Sequence, residues 1–172
     1  MIINLYDITE HLSVKGSVDA SKYQASGVSE ISFLSPINYD LALTRSGENV
    51  WVRGPIETRL ALTCDRCLEG FAYDVRADLD IELVPKESQP DGSEIELKSE
   101  ELDQYYFEGE DIDLDPYVYE EVMLNIPIKS LCAESCKGIC PVCGKNLNLG
   151  ECRCEKTGAS VLGEKLKSFL KK

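Results

Sequence analysis

The sequence predicts an α+β protein: an antiparallel β-meander or partly open barrel with packing helices, followed by a zinc-ribbon-like, cysteine-rich tail. Between residues 28 and 84, apolar and polar side chains alternate in several segments, as they do in half-buried strands. Six of the eight cysteines lie within the 23 residues from Cys132 to Cys154. We therefore predict a β-rich body over residues 1–128 and a metal-binding tail over residues 129–172.

Strands are predicted where apolar and polar side chains alternate. They comprise weak strands near 14–18 and 30–34 and longer ones over 37–44, 50–63 and 73–83. Gly54 and Pro55 interrupt the fourth of these, which predicts a bulge or an edge position there. The last has one apolar and one largely anionic face, as expected of a half-buried antiparallel strand.

Helices are predicted at three places. The helical spacing of three apolar residues, Leu5, Ile8 and Leu12, predicts a short amphipathic helix within residues 1–12. Asp115 as N-cap and Pro116 at the first helical position begin a helix near 116–126. A basic amphipathic helix begins at Ser160, near the end of the tail.

Charge divides the chain into an acidic body and a basic tail. The formal net charge is −13, yet residues 74–121 carry 18 acidic and 3 basic side chains, whereas residues 129–172 carry 4 acidic and 9 basic ones. An acidic surface repels nucleic acid and attracts basic partners, so only the tail would accept RNA phosphates. The candidate residues for contact with RNA or a partner are the lysines of the last helix, Lys165, Lys167, Lys171 and Lys172.

The sequence also bears on location. No run of apolar residues is long enough for a transmembrane helix, and the first residues lack the basic and apolar regions of a signal peptide. We therefore expect a cytoplasmic protein without membrane contact. In a reducing compartment, clustered cysteines more often bind metal than form disulfides.

The cysteine spacing predicts one or two zinc sites. Zn²⁺ in structural sites is held tetrahedrally by four ligands, and short C-x-x-C turns supply two of them. In one hypothesis, two ions are bound by two sets of four: Cys140, Cys143, Cys152 and Cys154, and Cys64, Cys67, Cys132 and Cys136. In the competing hypothesis, a single ion is bound by four of the six tail cysteines, and Cys64 and Cys67 are free. The spacing does not match the common iron–sulfur patterns.

The sequence predicts a protein that is not an enzyme. It contains no phosphate-binding glycine loop, no nucleophile elbow and no histidine-based triad. His11, the one histidine, is far in sequence from every cysteine pair, so no open catalytic zinc position is expected. We therefore expect no small-molecule substrate.

Three segments resemble the YceD family of large ribosomal RNA subunit accumulation proteins. They are Cys64-Asp-Arg-Cys67-Leu-Glu, Leu124-Asn-Ile-Pro and the cysteine-rich stretch containing Cys-Pro-Val-Cys-Gly-Lys-Asn-Leu-Asn. The resemblance covers roughly residues 30–170 and implies a role in 23S ribosomal RNA accumulation and large-subunit biogenesis. It supplies no catalytic residues.

Charge narrows the role that the resemblance implies. We expect an assembly factor that binds a basic large-subunit ribosomal protein, or a pre-ribosomal particle, against the anionic strand face and acidic loop. The alternative is a zinc module that binds the 23S ribosomal RNA precursor directly through the basic tail.

Overall fold

The computed structural model of the chain describes residues 1–20, 23, 31–86 and 104–154. The chain forms two compact units. The first comprises Met1–Thr63 and Gly70–Ser130, and the second comprises Cys64–Glu69 together with the residues from Leu131 onward. The second unit therefore combines two segments that are far apart in sequence. The predicted boundary between residues 128 and 129 stays a prediction.

The first unit is mostly β. Its described elements are β1 (Ile2–Asn4), a 3-10 helix (Leu5–Asp7), β2 (His11–Val18), β3 (Ser32–Phe33), β4 (Ile37–Ser46), β5 (Asn49–Thr63), β6 (Gly70–Pro85), β7 (Gln104–Phe107), β8 (Asp111–Asp113) and α1 (Asp115–Leu124). Strands β2, β4, β5, β6 and β7 lie in that order in a six-stranded sheet, and β3 pairs with β5. Strands β1 and β8 form a separate antiparallel pair. Among the described residues, the sheet is open and does not close into a barrel.

The antiparallel meander predicted from the alternating pattern is formed by β4, β5 and β6. Along β6, Val75, Leu79 and Ile81 are buried, whereas Asp74 and Asp80 on the opposite face are exposed. The half-buried strand is therefore confirmed. Strand β7 instead pairs with β6 in the parallel direction, an arrangement that the sequence does not predict.

One apolar core occupies the first unit. The inner face of the sheet packs with α1, whose Val118 and Val122 are fully buried, and with Ile112 of β8. Burial of such aliphatic side chains stabilises a fold by roughly 1.5–3 kcal/mol each. This core cluster contains no cysteine among the described residues, so apolar packing holds it together without a metal. No helix in the described part of the chain is long and apolar enough to cross a membrane.

The helix predicted within residues 1–12 is wrong. Leu5 and Ile8 are buried, but they lie at a single 3-10 turn in which the amide of Ile8 donates to the carbonyl of Leu5. Leu12 belongs to β2. The helical spacing arises because a tight turn and the following strand both direct apolar side chains inward.

The start of α1 differs from the prediction by one residue. The helix begins at Asp115, and Leu114 occupies the N-cap without a side-chain hydrogen bond. The carboxylate of Asp113 instead accepts a hydrogen bond from the amide of Asp115 at 3.2 Å. Pro116 lies in the first turn, as predicted, because its missing N–H costs nothing there.

The interruption at Gly54 and Pro55 is neither a bulge nor an edge. Strand β5 is interior to the sheet, and its pairing with β4 keeps one register on both sides of the gap, with Tyr39 opposite Ile56 and Ala42 opposite Arg53. Pro55 has no N–H to donate. Gly54 has a φ of +149°, and a Cβ there would collide with a backbone carbonyl of β4.

The described part of the second unit contains turns and a single β-bridge, between Ile139 and Asn146. The zinc-ribbon-like prediction is therefore confirmed only in part: the cysteine groups are present, but no ribbon strand occurs between Leu131 and Cys154.

Candidate metal centre

The second unit brings the eight cysteines together in two groups of four. The first group is Cys64, Cys67, Cys132 and Cys136, and the second is Cys140, Cys143, Cys152 and Cys154. Within each group, all four sulfurs lie within 4.8 Å of one another. This is the grouping of the two-ion hypothesis. Each group offers four thiols and can hold a metal ion.

A tight turn between β5 and β6 presents the first two cysteines. The amide of Cys64 donates to the carbonyl of Glu69 at 2.9 Å, and the amide of Leu68 donates to the carbonyl of Cys64 at 2.8 Å. Leu68 has a φ of +61°, a left-handed conformation that is uncommon outside glycine. The turn directs Cys67 toward the same cluster as Cys64.

Side-chain and backbone hydrogen bonds of Arg66 join this turn to the segment that carries the other two cysteines. The guanidinium of Arg66 donates to the carbonyls of Glu134 and Cys136, both at 3.0 Å. In return, the amide of Ile139 donates to the carbonyl of Arg66 at 3.1 Å. Gly138 has a φ of +73° and approaches the same carbonyl closely. The two segments are therefore positioned by contacts other than those of the sulfurs.

The sulfur separations fit a tetrahedral metal ion. The Sγ atoms of Cys64 and Cys136 are 3.8 Å apart, and those of Cys67 and Cys132 are 3.7 Å apart. Four sulfurs that each lie about 2.3 Å from a tetrahedral Zn²⁺ are about 3.8 Å from one another. A disulfide needs about 2.05 Å, and all eight cysteines are free. The first group thus has the dimensions of a four-thiolate metal site.

Hydrogen bonds in the first group favour thiolates at two positions. A bond from the backbone amide of Cys132 lowers the pKa of Cys64 to about 6. The side-chain amide of Asn148 lowers the pKa of Cys136. Cys132 donates its S–H to the sulfur of Cys136, and this hydrogen bond raises the pKa of Cys132 to about 12. A bound cation would replace these shared protons and ionise the remaining thiols.

The second group is built around the knuckle from Cys140 to Cys143. The amide of Val142 donates to the Cys140 sulfur at 3.4 Å, and the amide of Gly144 donates to the Cys140 carbonyl at 2.9 Å. Backbone amides of Cys143 and Val142 lower the pKa of Cys140 to about 6. Gly144 has a φ of +72°, which a glycine adopts without strain. The C-x-x-C turn thus already stabilises one thiolate.

The two groups differ in exposure. In the first, Cys64, Cys67 and Cys136 are buried. In the second, only Cys140 is buried, and Cys143 is exposed. Neither group contains a histidine or carboxylate among the described residues, so four thiolates fill a tetrahedral shell without an open position for substrate.

Asn148 is a participant that the cysteine spacing does not reveal. Its side-chain amide donates to the Cys136 sulfur at 3.2 Å, and its Oδ1 accepts from the amide of Lys137 at 2.8 Å. Only the folded arrangement of the turn shows this contact. In the sequence, the feature that could indicate this contact is an asparagine that lies between two pairs of cysteines.

The remaining predicted site residues are all lysines, and the sequence predicts no ligand role for His11. The four lysines Lys165, Lys167, Lys171 and Lys172 lie outside the described residues, and their role stays a prediction. His11 lies in β2, where its Nδ1 is 3.0 Å from Thr44 Oγ1, and it belongs to neither cysteine group.

Arginines partly neutralise the anionic face of β6. Arg53 of β5 pairs with Asp80 at 2.7 Å, and Arg59 pairs with Asp74 at 3.3 Å. These are cross-strand neighbours in the sheet register, which the sequence of β6 alone cannot reveal. The strand face is therefore less negative than its own sequence predicts.

Comparison with known proteins places the chain in a family. The family described as "Large ribosomal RNA subunit accumulation protein YceD" matches residues 52–170. "Large ribosomal RNA subunit accumulation protein YCED homolog 1, chloroplastic" of Arabidopsis thaliana is 25% identical over 80% of this chain and 52% of its own length. The Zea mays protein of the same name is 25% identical over 70% of this chain and 49% of its own.

A bacterial relative is also similar. An uncharacterized protein of Mycobacterium tuberculosis is 30% identical over 63% of this chain and 50% of its own length. The chain thus spans about half the length of the curated relatives it matches. No solved structure matches it. The family match covers more than two thirds of the chain and all eight cysteines, and the chain belongs to the YceD family.

Proposed function

We propose that the protein is a non-enzymatic, cytoplasmic factor for the accumulation of 23S ribosomal RNA and thus for the biogenesis of the large ribosomal subunit. The observation that carries this proposal is the family match over residues 52–170. The names of the two plant relatives give those chloroplastic proteins a role in the accumulation of the large ribosomal RNA subunit. The absence of a substrate position in either cysteine group favours a binding role over a catalytic one.

Zn²⁺ is the proposed ion in both cysteine groups. A shell of four thiolates suits Zn²⁺, the sulfur separations of 3.7 Å and 3.8 Å in the first group agree with its tetrahedral geometry, and the four sulfurs of the second group lie within 4.8 Å of one another. When bound, the ion supplies a cross-link between chain segments rather than a reaction. Cys64 and Cys67 then link the turn between β5 and β6 to the residues that follow Leu131.

Charge favours a basic protein over RNA as the direct partner. The second unit, Cys64–Glu69 with residues 131–172, carries nine basic and six acidic side chains, a formal charge of +3. A Zn²⁺ with four thiolates adds −2, so two filled sites change this charge to −1. A zinc-loaded second unit thus loses most of its attraction for phosphate. We therefore propose a large-subunit ribosomal protein, or a pre-ribosomal particle that presents one, as the partner.

Depletion of the protein tests the cellular role. In depleted cells, we expect the ratio of 23S to 16S ribosomal RNA to fall and to recover when the wild-type chain is re-expressed. A double variant, Cys64→Ser with Cys152→Ser, disrupts both cysteine groups and should fail to restore the ratio. A ratio that stays normal after depletion contradicts the proposed function.

Affinity capture of the full chain separates the two kinds of partner. We expect a basic large-subunit protein to be captured after nuclease treatment and to be released by raised salt, since the attraction is electrostatic. If capture requires intact RNA, and purified protein binds 23S fragments tightly at moderate salt, the direct RNA-binding alternative is correct instead.

A further inference from the structure

We propose that the two cysteine groups form an unequal, coupled pair of metal sites: the second exchanges its ion with solution at Cys152, and Asn148 transmits its occupancy to the first. The inference rests on the metal binding proposed above. It goes further by assigning different properties to the two sites and a positioning role to a residue that is not a ligand.

The inequality follows from burial. The first group has three buried sulfur-bearing residues, and its fourth, Cys132, is exposed. In the second group Cys143 is exposed, and Cys152 and Cys154 are partly exposed. An incoming ligand must approach the ion within bonding distance, so exposed thiolates are displaced more readily than buried ones. The second group therefore offers more positions for ligand exchange.

A cavity of about 500 Å³ beside Cys152 gives an incoming ligand room to approach its sulfur, and we assign the exchange to this position. The cavity is lined by Lys137, Leu147, Glu151 and Cys152. Lys137 and Glu151 are both exposed and opposite in charge, so the side chains that line the cavity carry no net charge that would repel an anionic thiolate or carboxylate chelator. With an ion bound, a chelator that forms a bond to it would displace the thiolate of Cys152. The released thiolate takes a proton from solvent, and no electrons are transferred.

The coupling follows from the turn between the two halves of the second group. This turn runs from Gly144 to Glu151, so a ligand of the second group lies at each end of it. The amide of Cys140 donates to the carbonyl of Lys145 at 2.9 Å, and the amide of Leu147 donates to the carbonyl of Gly138 at 2.8 Å. The same turn carries Asn148.

Asn148 connects this turn to the first group. Its backbone amide donates to Asn146 Oδ1 at 2.9 Å, while its side chain donates to the Cys136 sulfur at 3.2 Å. Loss of the ion from the second group frees the ends of the turn and with them this donor. Removal of a hydrogen-bond partner of a metal ligand typically costs about 10–100-fold in metal affinity. Emptying the second site should thus weaken the first.

The experiment measures zinc release from the zinc-loaded full chain with a chromogenic chelator in excess. We expect two phases of one ion each, with the fast phase at least about tenfold quicker. The variant Cys64→Ser, which disrupts the first group, should retain only the fast phase. The variant Cys152→Ser should lose that phase and release its remaining ion faster than the slow phase of the wild type.

Substitution at Asn148 tests the coupling. Asn148→Asp keeps the oxygen that accepts from Lys137 but removes the donor to sulfur, and we expect it to speed the slow phase by about 10–100-fold without changing the fast one. Leu149→Ala is the matched control, because Leu149 is 80% exposed on the same turn and should leave both phases unchanged. If the slow phase of Asn148→Asp has the same rate as that of the wild type, the proposed coupling between the two sites is wrong.

The outcomes separate this inference from the proposed function. Two bound ions released at one common rate, or a fast phase that belongs to the first group, overturn the inequality and leave the proposed metal binding intact. A chain that binds no zinc at all overturns both.

Discussion

The Sγ atom of Cys64 lies 3.8 Å from that of Cys136, although the two residues are 72 positions apart in the chain. This contact requires that Cys64–Glu69 and the residues after Leu131 assemble in one unit. If this distance reflects a shared ion, removal of either thiol should cost one bound metal and leave the second group intact.

Metal content therefore tests the two groups directly. We expect two zinc ions per wild-type chain, one in Cys64→Ser and none when Cys152→Ser is added, measured by elemental analysis of purified protein. Ser135→Ala is a control, since Ser135 lies between two proposed ligands, is exposed and bears no thiol. One ion per wild-type chain, unchanged in Cys64→Ser, would support the one-ion hypothesis.

Metal removal should affect the two units differently. The core cluster of the first unit contains no described cysteine, so its β-sheet circular dichroism should persist after chelation. By contrast, amide protons between Leu131 and Cys154 should lose protection from hydrogen exchange, because turns without strands depend on the metal. Loss of the sheet signal on chelation would contradict this separation.

Acid should release the metal. The pKa values of Cys64 and Cys140 are lowered to about 6, so their thiolates contribute stability above the ordinary thiol pKa, and this contribution is lost as pH falls through about 6. The metal requires all four thiols of a group to be ionised, so proton competition acts in the same direction. Zinc occupancy should be full at neutral pH and decrease below pH 6 or so. Constant occupancy down to pH 4 or so contradicts thiolate ligation.

We expect a buried carboxylate in β6 to contribute to the stability of the first unit. Glu82 is 8% exposed and accepts hydrogen bonds from Asn49 Nδ2 at 2.8 Å and Gln104 Nε2 at 2.7 Å. Glu82→Ala leaves two amide donors without their acceptor and should destabilise the first unit by about 2–3 kcal/mol in urea unfolding. Glu57→Ala, at an exposed position of the neighbouring strand, should change stability by less than about 0.5 kcal/mol. Equal effects of the two would refute the role of burial.

The sheet should not tolerate a side chain at Gly54. Its φ of +149° and the nearby carbonyl oxygen of Asp40 both exclude a Cβ. We expect Gly54→Ala to destabilise the fold by more than about 3 kcal/mol. Gly47 has a φ of +67°, but no atom lies within 4 Å of a Cβ added there. Gly47→Ala should therefore lower the free energy of unfolding by only about 1 kcal/mol. Thermal unfolding is measured for both variants: Gly47→Ala reports backbone strain alone, and Gly54→Ala reports strain together with the collision.

Local patterns predict the meander but not its surroundings. Residues 73–83 alternate strictly, and one buried face is their only favourable arrangement, so β6 is evident from sequence. Leu5 and Ile8 have the same spacing in a helix and at a 3-10 turn, so the first residues are ambiguous. The parallel pairing of β7 with β6 depends on contacts between distant residues, which no local pattern encodes.

The sequence predicts which residue type binds the metal, but not which cysteines come together or which residues donate hydrogen bonds to them. Spacing identifies the thiol clusters, yet it leaves open whether Cys64 and Cys67 join the tail residues, because that depends on how two segments fold together. The contribution of Asn148 is also hidden, since its sulfur partner is 12 positions away. The pattern places Glu82 on the polar face of its strand, and it does not reveal that Asn49 and Gln104 donate hydrogen bonds that compensate for its burial.

The ligands of the two groups are spread very differently along the chain, and this separates them in the order of folding. Cys140 to Cys154 can meet within one short segment, whereas Cys67 and Cys132 are 65 positions apart, with β6, β7, β8 and α1 between them. Closing a long loop is slow and entropically costly until the intervening chain has folded. In folding from the unfolded chain, the second group is able to capture an ion before any strand has formed, because its ligands lie close together in sequence. The first must wait for the sheet and helix, so its metal marks a completed fold.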